Sequence, residues 1–202
     1  MANKDLKLNP KIEKAAFDVF MENGFEKASV KTIAQRAGAT TGAIYTRYKS
    51  KDDLFESLVA PLFKDSVDKA KYFEQLYYAI LAEKSVEKFM NAIDEEQAIY
   101  NELIYNFYEE FILLFEKGVG SKIYKQMCDL IKSKAEKTIM FFESINQNNV
   151  HLCGLETIIT SSLYFYHEIL IKNLGKEKTI LELTNINIFI KNGWVKLFEE
   201  ML

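Results

Sequence analysis

Residues 28–55 read "ASVKTIAQRAGATTGAIYTRYKSKDDLF", two short helical patterns set close together, the second of them oddly polar. Ser29 is placed to cap a helix whose Val30, Ile33, Ala34 and Ala37 share one face. Gly38 follows where a helix C-terminus favours positive φ, and after Ala39 either Thr40 or Thr41 can cap a third helix. A turn of about three residues between two helices is helix-turn-helix spacing. Ala34 is small where the axes cross, and Ile44 is the apolar peg between them. The side chains left to face outward are Thr40, Thr41, Tyr45, Thr46, Arg47, Tyr48, Lys49 and Lys51, with Gly42 permitting close backbone approach. Hydroxyls, cations and a glycine suit a nucleic-acid duplex: tyrosine hydroxyls grip its backbone, while Arg47 and Thr41 read base edges. The competing reading of Tyr45 and Tyr48 is that of core aromatics in a small three-helix head.

Working outward, Ser50 and Asp53 form an acidic capping box that opens a fourth helix, with Leu54, Phe55, Leu58, Val59, Leu62 and Phe63 inward and a kink or interruption expected at Pro61. Upstream, Asn9 and Pro10 start a first helix with Ile12, Ala15, Ala16, Val19 and Phe20 on one face, and Gly24 ends it. Apolar residues recur at three and four throughout, so the chain is all-α, with further helices expected at about 51–80, 85–116, 121–145, 149–173 and 179–201. The expected organisation is a helix-turn-helix head over residues 1–50 and a larger helical ligand-binding and dimerisation domain over 51–202.

Charge divides the same way. Residues 1–51 carry ten Lys or Arg against five Asp or Glu, whereas 52–202 carry sixteen against twenty-four. A basic head on an acidic body implies that only the head meets a polyanion. No apolar run approaches the roughly 20 residues of a membrane span, and the N-terminal stretch lacks the apolar segment of a secretory signal, so a soluble cytoplasmic protein with no membrane partner is expected. Cys128 and Cys153 are too few for a disulfide framework and are expected to be reduced and mostly buried.

The 28–55 pattern resembles the signature of the tetracycline-repressor (TetR) family of bacterial transcription regulators. Ala39 stands where that family usually has Val, Thr40 where it has Ser and Tyr48 where it has Phe; an extra hydroxyl at Tyr48 either stays buried or adds a phosphate contact. The resemblance implies that Lys31 contacts DNA, that Thr40, Thr41, Gly42, Tyr45 and Arg47 enter or line the major groove, and that Lys51 binds phosphate; the role of Lys49 stays open.

One head of this size makes too few contacts for specificity, so a homodimer on a palindromic operator is expected. The last two helices are apolar around much of their circumference, which points to an interface of Leu155, Ile159, Leu163, Tyr166, Leu170, Ile190, Trp194 and Leu197. Of the aromatic residues in the middle helices most are core; Tyr105, Tyr108, Tyr164 and His167 bring polar tips to apolar faces and are the candidates for an effector pocket. No nucleophile with a base, no phosphate loop and no metal set occurs: His151 and His167 lie far apart, and no cofactor is expected. The whole reads as a ligand-responsive homodimeric regulator, a repressor released from its operator by a small apolar or aromatic effector. Its rivals are a regulator of the same fold governed by a protein partner, and a helical enzyme or carrier.

Overall fold

The computed structural model describes residues 8–146, 148, 150 and 154–201, with side chains at all of these but 81, 82, 160 and 162–164. Regular structure among them is helical throughout. The order is α1 (Leu8–Lys27), α2 (Val30–Ala37), α3 (Thr41–Tyr45), α4 (Lys51–Glu83), α5 (Val86–Asn106), α6 (Tyr108–Ile112), a π-helical turn (Leu113–Lys117), α7 (Lys122–Ile145), α8 (Leu155–Ile171) and α9 (Lys176–Met201). α4 runs through Pro61 without interruption. No helix among the described residues is long and apolar enough to cross a membrane.

Two compact units divide the chain. One holds the chain up to Phe63 together with Glu109–Cys128; the other holds Lys64–Tyr108 and the chain from Asp129 onward. The division expected after residue 50 follows the motif, whereas the compact head also takes in the first turns of α4 and a segment from the middle of the chain.

In the first unit, Ile12, Ala16, Val19 and Phe20 of α1 are buried with Ile33 and Ala34 of α2, Ile44 of α3, and Leu54 and Phe55 of α4. Phe55 sets its ring edge-on to Phe20 at 5.0 Å and to Phe25 at 5.3 Å. α1 packs against both α2 and the π-helical turn, whose Leu113 and Leu114 are wholly buried. Gly118, just after that turn, has a structural reason to be glycine: a Cβ there would lie 2.3 Å from the Leu114 carbonyl oxygen and 3.0 Å from Phe55 Cζ. The Asp52 carboxylate accepts the Lys122 backbone N–H at 2.9 Å, capping α7 from α4.

The second unit is built on α5 packed along α9, with α8 also against α9. Its core is aromatic: Phe89 stacks on Phe198 at 4.3 Å, and Phe142 stacks on Trp194 at 5.1 Å, among Ile93, Phe141, Ile145 and Met201. This corrects the expected dimer face. Leu155, Ile159 and Leu170 are buried among their own unit's residues, and Trp194 and Leu197 pack against that core. Tyr166 and Ile190 are half-buried, and the side chain of Leu163 lies outside those described. The sequence shows two apolar faces on α9, and the bulkier one has turned inward. Left exposed are Leu181, Ile188 and Phe189 of α9 with Ile158 and Phe165 of α8. Cys128 is exposed, contrary to the burial expected of it, and Cys153 and His151 lie outside the described residues.

Candidate nucleic-acid interface

The interface is assembled from short-range hydrogen bonds that set α3 at the surface. Ser29 Oγ accepts the Lys31 N–H at 3.2 Å and starts α2. Gly38 ends it in the left-handed region at φ 63, where its N–H donates to the Gln35 carbonyl and that of Ala39 to the Ala34 carbonyl. Those paired bonds form a Schellman closure and fix the turn. Thr40 then caps α3, its Oγ1 accepting the Ala43 N–H at 3.1 Å. Ile44 is buried beneath, and Ala34 lets α2 approach.

Held in this way, Thr40, Thr41, Gly42, Tyr45 and Thr46 are all exposed, as are Lys31 and Lys49. Tyr45 has 51% of its surface in solvent and no core role. Thr46 turns its hydroxyl back to donate to the Gly42 carbonyl at 2.8 Å. Gly42 is unlike Gly118: its φ is ordinary, and the nearest atom a Cβ would meet is Thr40 Oγ1 at 3.8 Å. Nothing within the chain forbids a side chain there, although glycine costs a helix about 1 kcal/mol relative to alanine.

Three residues expected at this surface are spent inside the head. Tyr48 is 9% exposed and donates its hydroxyl to Glu13 Oε1 at 2.6 Å; burial, and then the Glu13 carboxylate, push its phenol up to about 12. It is therefore a core residue, because the neighbouring acid on α1 gives its extra oxygen a partner. Lys51 donates to the carbonyls of Phe25 at 2.7 Å and Glu26 at 3.1 Å and sits over the Phe25 ring at 4.4 Å. Its charge meets the negative end of α1, where unpaired carbonyls collect, and in this structure it acts as a cap. Arg47 is half-buried, with Nε donating to Asn9 Oδ1 at 2.7 Å and Nη1 to the Ala43 carbonyl at 3.0 Å. It ties α3 to the start of α1 in place of extending toward a base.

No local pattern marks Asn9 and Glu13 as anchors of α3, because their partners lie 38 and 35 residues further along the chain. Lys11 and Lys14 of α1 line an open groove of about 240 Å³ with Arg36 and Asp18. Arg36 places both guanidinium nitrogens on the Glu22 carboxylate, and that hydrogen bonding lowers the Glu22 pKa.

In the second unit, the described side chains among the expected pocket residues each have a partner of their own. Tyr108 is buried with its hydroxyl accepting the Gly175 N–H at 3.0 Å, which fastens the turn before α9. Tyr105 is exposed beneath the Lys176 ammonium at 5.2 Å, His167 is half-buried with Nδ1 3.8 Å from Glu168, and the side chain of Tyr164 lies outside those described.

Comparison with known proteins places these features in context. Residues 12–58 match the family model for bacterial regulatory proteins of the tetR family. The uncharacterized HTH-type transcriptional regulator YvdT of Bacillus subtilis is 34% identical over 61 residues, 30% of this chain and 31% of YvdT. The fatty acid metabolism regulator protein of the same organism is 43% identical over 44 residues, 22% of this chain and 23% of its own length. Among solved structures, the TetR family regulator PfmR from Thermus thermophilus is 15% identical with a TM-score of 0.54, covering 90% of this chain and 97% of PfmR. FadR from Bacillus subtilis, in complex with stearoyl-CoA, is 19% identical with a TM-score of 0.52, covering 91% and 98%. These two likenesses extend the shared fold beyond the matched head.

Proposed function

We propose that this chain, whose residues 12–58 match the family model for bacterial regulatory proteins of the tetR family, is a transcriptional regulator, a homodimeric repressor that binds a palindromic operator and is released by a small apolar or aromatic effector. Gly42 carries the reading. A glycine in the second position of an exposed helix, unforced by φ or by packing, has its reason outside the molecule: a surface that must come close. Tyr45, Thr40 and Thr41 flank it and supply hydroxyls to phosphates and base edges, with Lys31 and Lys49 adding charge; Arg47, Tyr48 and Lys51 hold the reading helix in place.

A dimer provides the second head. Supporting this, Ile158 and Phe165 of α8 and Leu181, Ile188 and Phe189 of α9 leave large apolar side chains in water, the surface a second copy would cover. Residues 51–63 of α4 belong to the first unit and 64–83 to the second, so an effector that repacks the second unit acts on the helix that opens beside the DNA-reading face. By linkage, effector and operator weaken each other's binding. The site of action is the cytoplasm, where the DNA lies.

Selection of bound sequences from random duplex DNA tests the reading. Inverted half-sites whose centres lie about one helical turn apart are expected. Gly42→Ala should raise the melting temperature slightly while weakening operator binding at least tenfold. Recovery of no enriched sequence, or an affinity indifferent both to salt and to Gly42→Ala, refutes it.

A further inference from the structure

Within the second unit, five helices bring polar side chains together at a place an aromatic core would more stably fill. Glu96 of α5 pairs with Lys134 of α7, and the Tyr77 hydroxyl of α4 donates to the other Glu96 oxygen at 2.8 Å. The Lys134 ammonium lies over the Tyr100 ring at 4.8 Å. The Tyr166 hydroxyl of α8 donates to Asn187 Oδ1 of α9, and Gln97 Nε2 donates to the Asn187 carbonyl at 3.1 Å. Asn187 is 2% exposed, yet its Nδ2 has no partner among the described residues, and neither does the buried Oδ1 of Asn101.

Turning the Asn187 amide over does not help, because Tyr166 meets only one of its two ends and the other stays orphaned. A buried donor left without a partner, as the Asn187 amide is, is costly because it has given up water and received nothing in return. A cluster with a buried donor left open is built for something that completes it.

The surroundings define what that is. Glu96 pairs with Lys134: burial works against the lysine's charge, but Glu96 together with the Tyr100 and Tyr166 hydroxyls holds the pKa above its ordinary value. Burial and then Glu96 push the Tyr166 phenol up to about 12, and with Lys134 already paired to Glu96 a second anion is disfavoured beside them. Flat rings lie beside it, with Phe73 stacked on Tyr100 at 6.2 Å and tilted to Tyr77 at 6.4 Å. Resting on the reading of the chain as an effector-controlled regulator, we propose that this cluster is the polar end of the effector site. The effector is then an uncharged aromatic molecule whose acceptor oxygen takes the Asn187 amide and whose frame lies against the tyrosines. A polyanionic thioester such as the stearoyl-CoA bound by FadR does not suit it.

Three probes on one frame test the inference in the absence of DNA: 2-acetylnaphthalene, 2-ethylnaphthalene, which lacks the oxygen, and 2-naphthoate, which carries a charge. Binding is read by thermal shift and tyrosine fluorescence on the full chain. The ketone should bind at least tenfold tighter than either of the others. The double variant Asn187→Leu, Tyr166→Phe, which orphans no polar atom, should melt higher than the parent, lose the preference for the ketone and keep its operator affinity. Equal binding of all three probes, binding of none, tighter binding of the naphthoate, or a double variant that melts lower overturns the proposal. Failure to bind any operator bears on the regulatory reading alone, because the probe measurements contain no DNA.

Discussion

Lys51→Met separates the two roles that a lysine at the start of α4 can hold. The ammonium donates to two carbonyls at the end of α1, at 2.7 and 3.1 Å, and covers the Phe25 ring. A hydrogen bond to a charged group contributes about 1.5–3 kcal/mol, and a partly exposed cation over a ring roughly 0.5–1 kcal/mol. Methionine keeps the apolar stem, so the loss is taken near the low end of the combined range, about 2 kcal/mol. For a chain of this size that lowers the melting temperature by roughly 4–8 °C. The same variant is then titrated with operator DNA at several salt concentrations. A cap leaves the slope of log affinity against log salt unchanged, whereas each lost phosphate contact reduces it by about 0.9. An unaltered melting temperature together with a shallower salt slope would falsify the cap and restore the phosphate role.

Gly118→Ala forces a methyl group to within 2.3 Å of the Leu114 carbonyl oxygen, and overpacking of this kind costs about 1–3 kcal/mol; urea titration should show a lower midpoint at unchanged slope, and an unchanged midpoint refutes the packing argument. Phe189, 78% exposed, should tolerate Asp without loss of fold, since exposed positions change stability by about 0.5 kcal/mol or less. Sedimentation should nevertheless show Phe189→Asp weakening the dimer by more than tenfold, and an equally tight dimer removes this face from the interface. The phenols of Tyr48 and Tyr166 are both pushed up to about 12 from an ordinary 10, by burial first and by neighbouring carboxylates next. Folding favours their neutral forms, so that contribution is complete below about pH 10 and is lost as pH rises from there toward 12. Tyr48→Phe should flatten the fall in melting temperature across that window, and an identical profile means that Tyr48 does not titrate with folding.

The parts of this protein legible in its sequence are those written within a turn or two of chain. Ser29 caps a donor two residues on, Thr40 one three residues on, and Gly38 closes α2 on carbonyls three and four residues back. Spacing alone reveals such signals, and with them came α3 and its exposed hydroxyl face. The ends of Arg47, Tyr48 and Lys51 were decided elsewhere, by partners 38, 35 and 26 residues earlier. A cation or a tyrosine looks the same in sequence whether it faces solvent or a waiting carbonyl. The same holds for α9, where one apolar face carries Leu183, Trp194 and Phe198 and the other Leu181, Ile188 and Phe189. Periodicity marks both faces, and only packing against α5 selects which is covered. The polar cluster is the extreme case, since Gln97 and Asn187 meet across 90 residues. Local hydrogen bonds and helical period thus specify the elements from the sequence, while the tertiary structure alone decides which charges are consumed and which surfaces remain, because those outcomes depend on neighbours that no local pattern brings together.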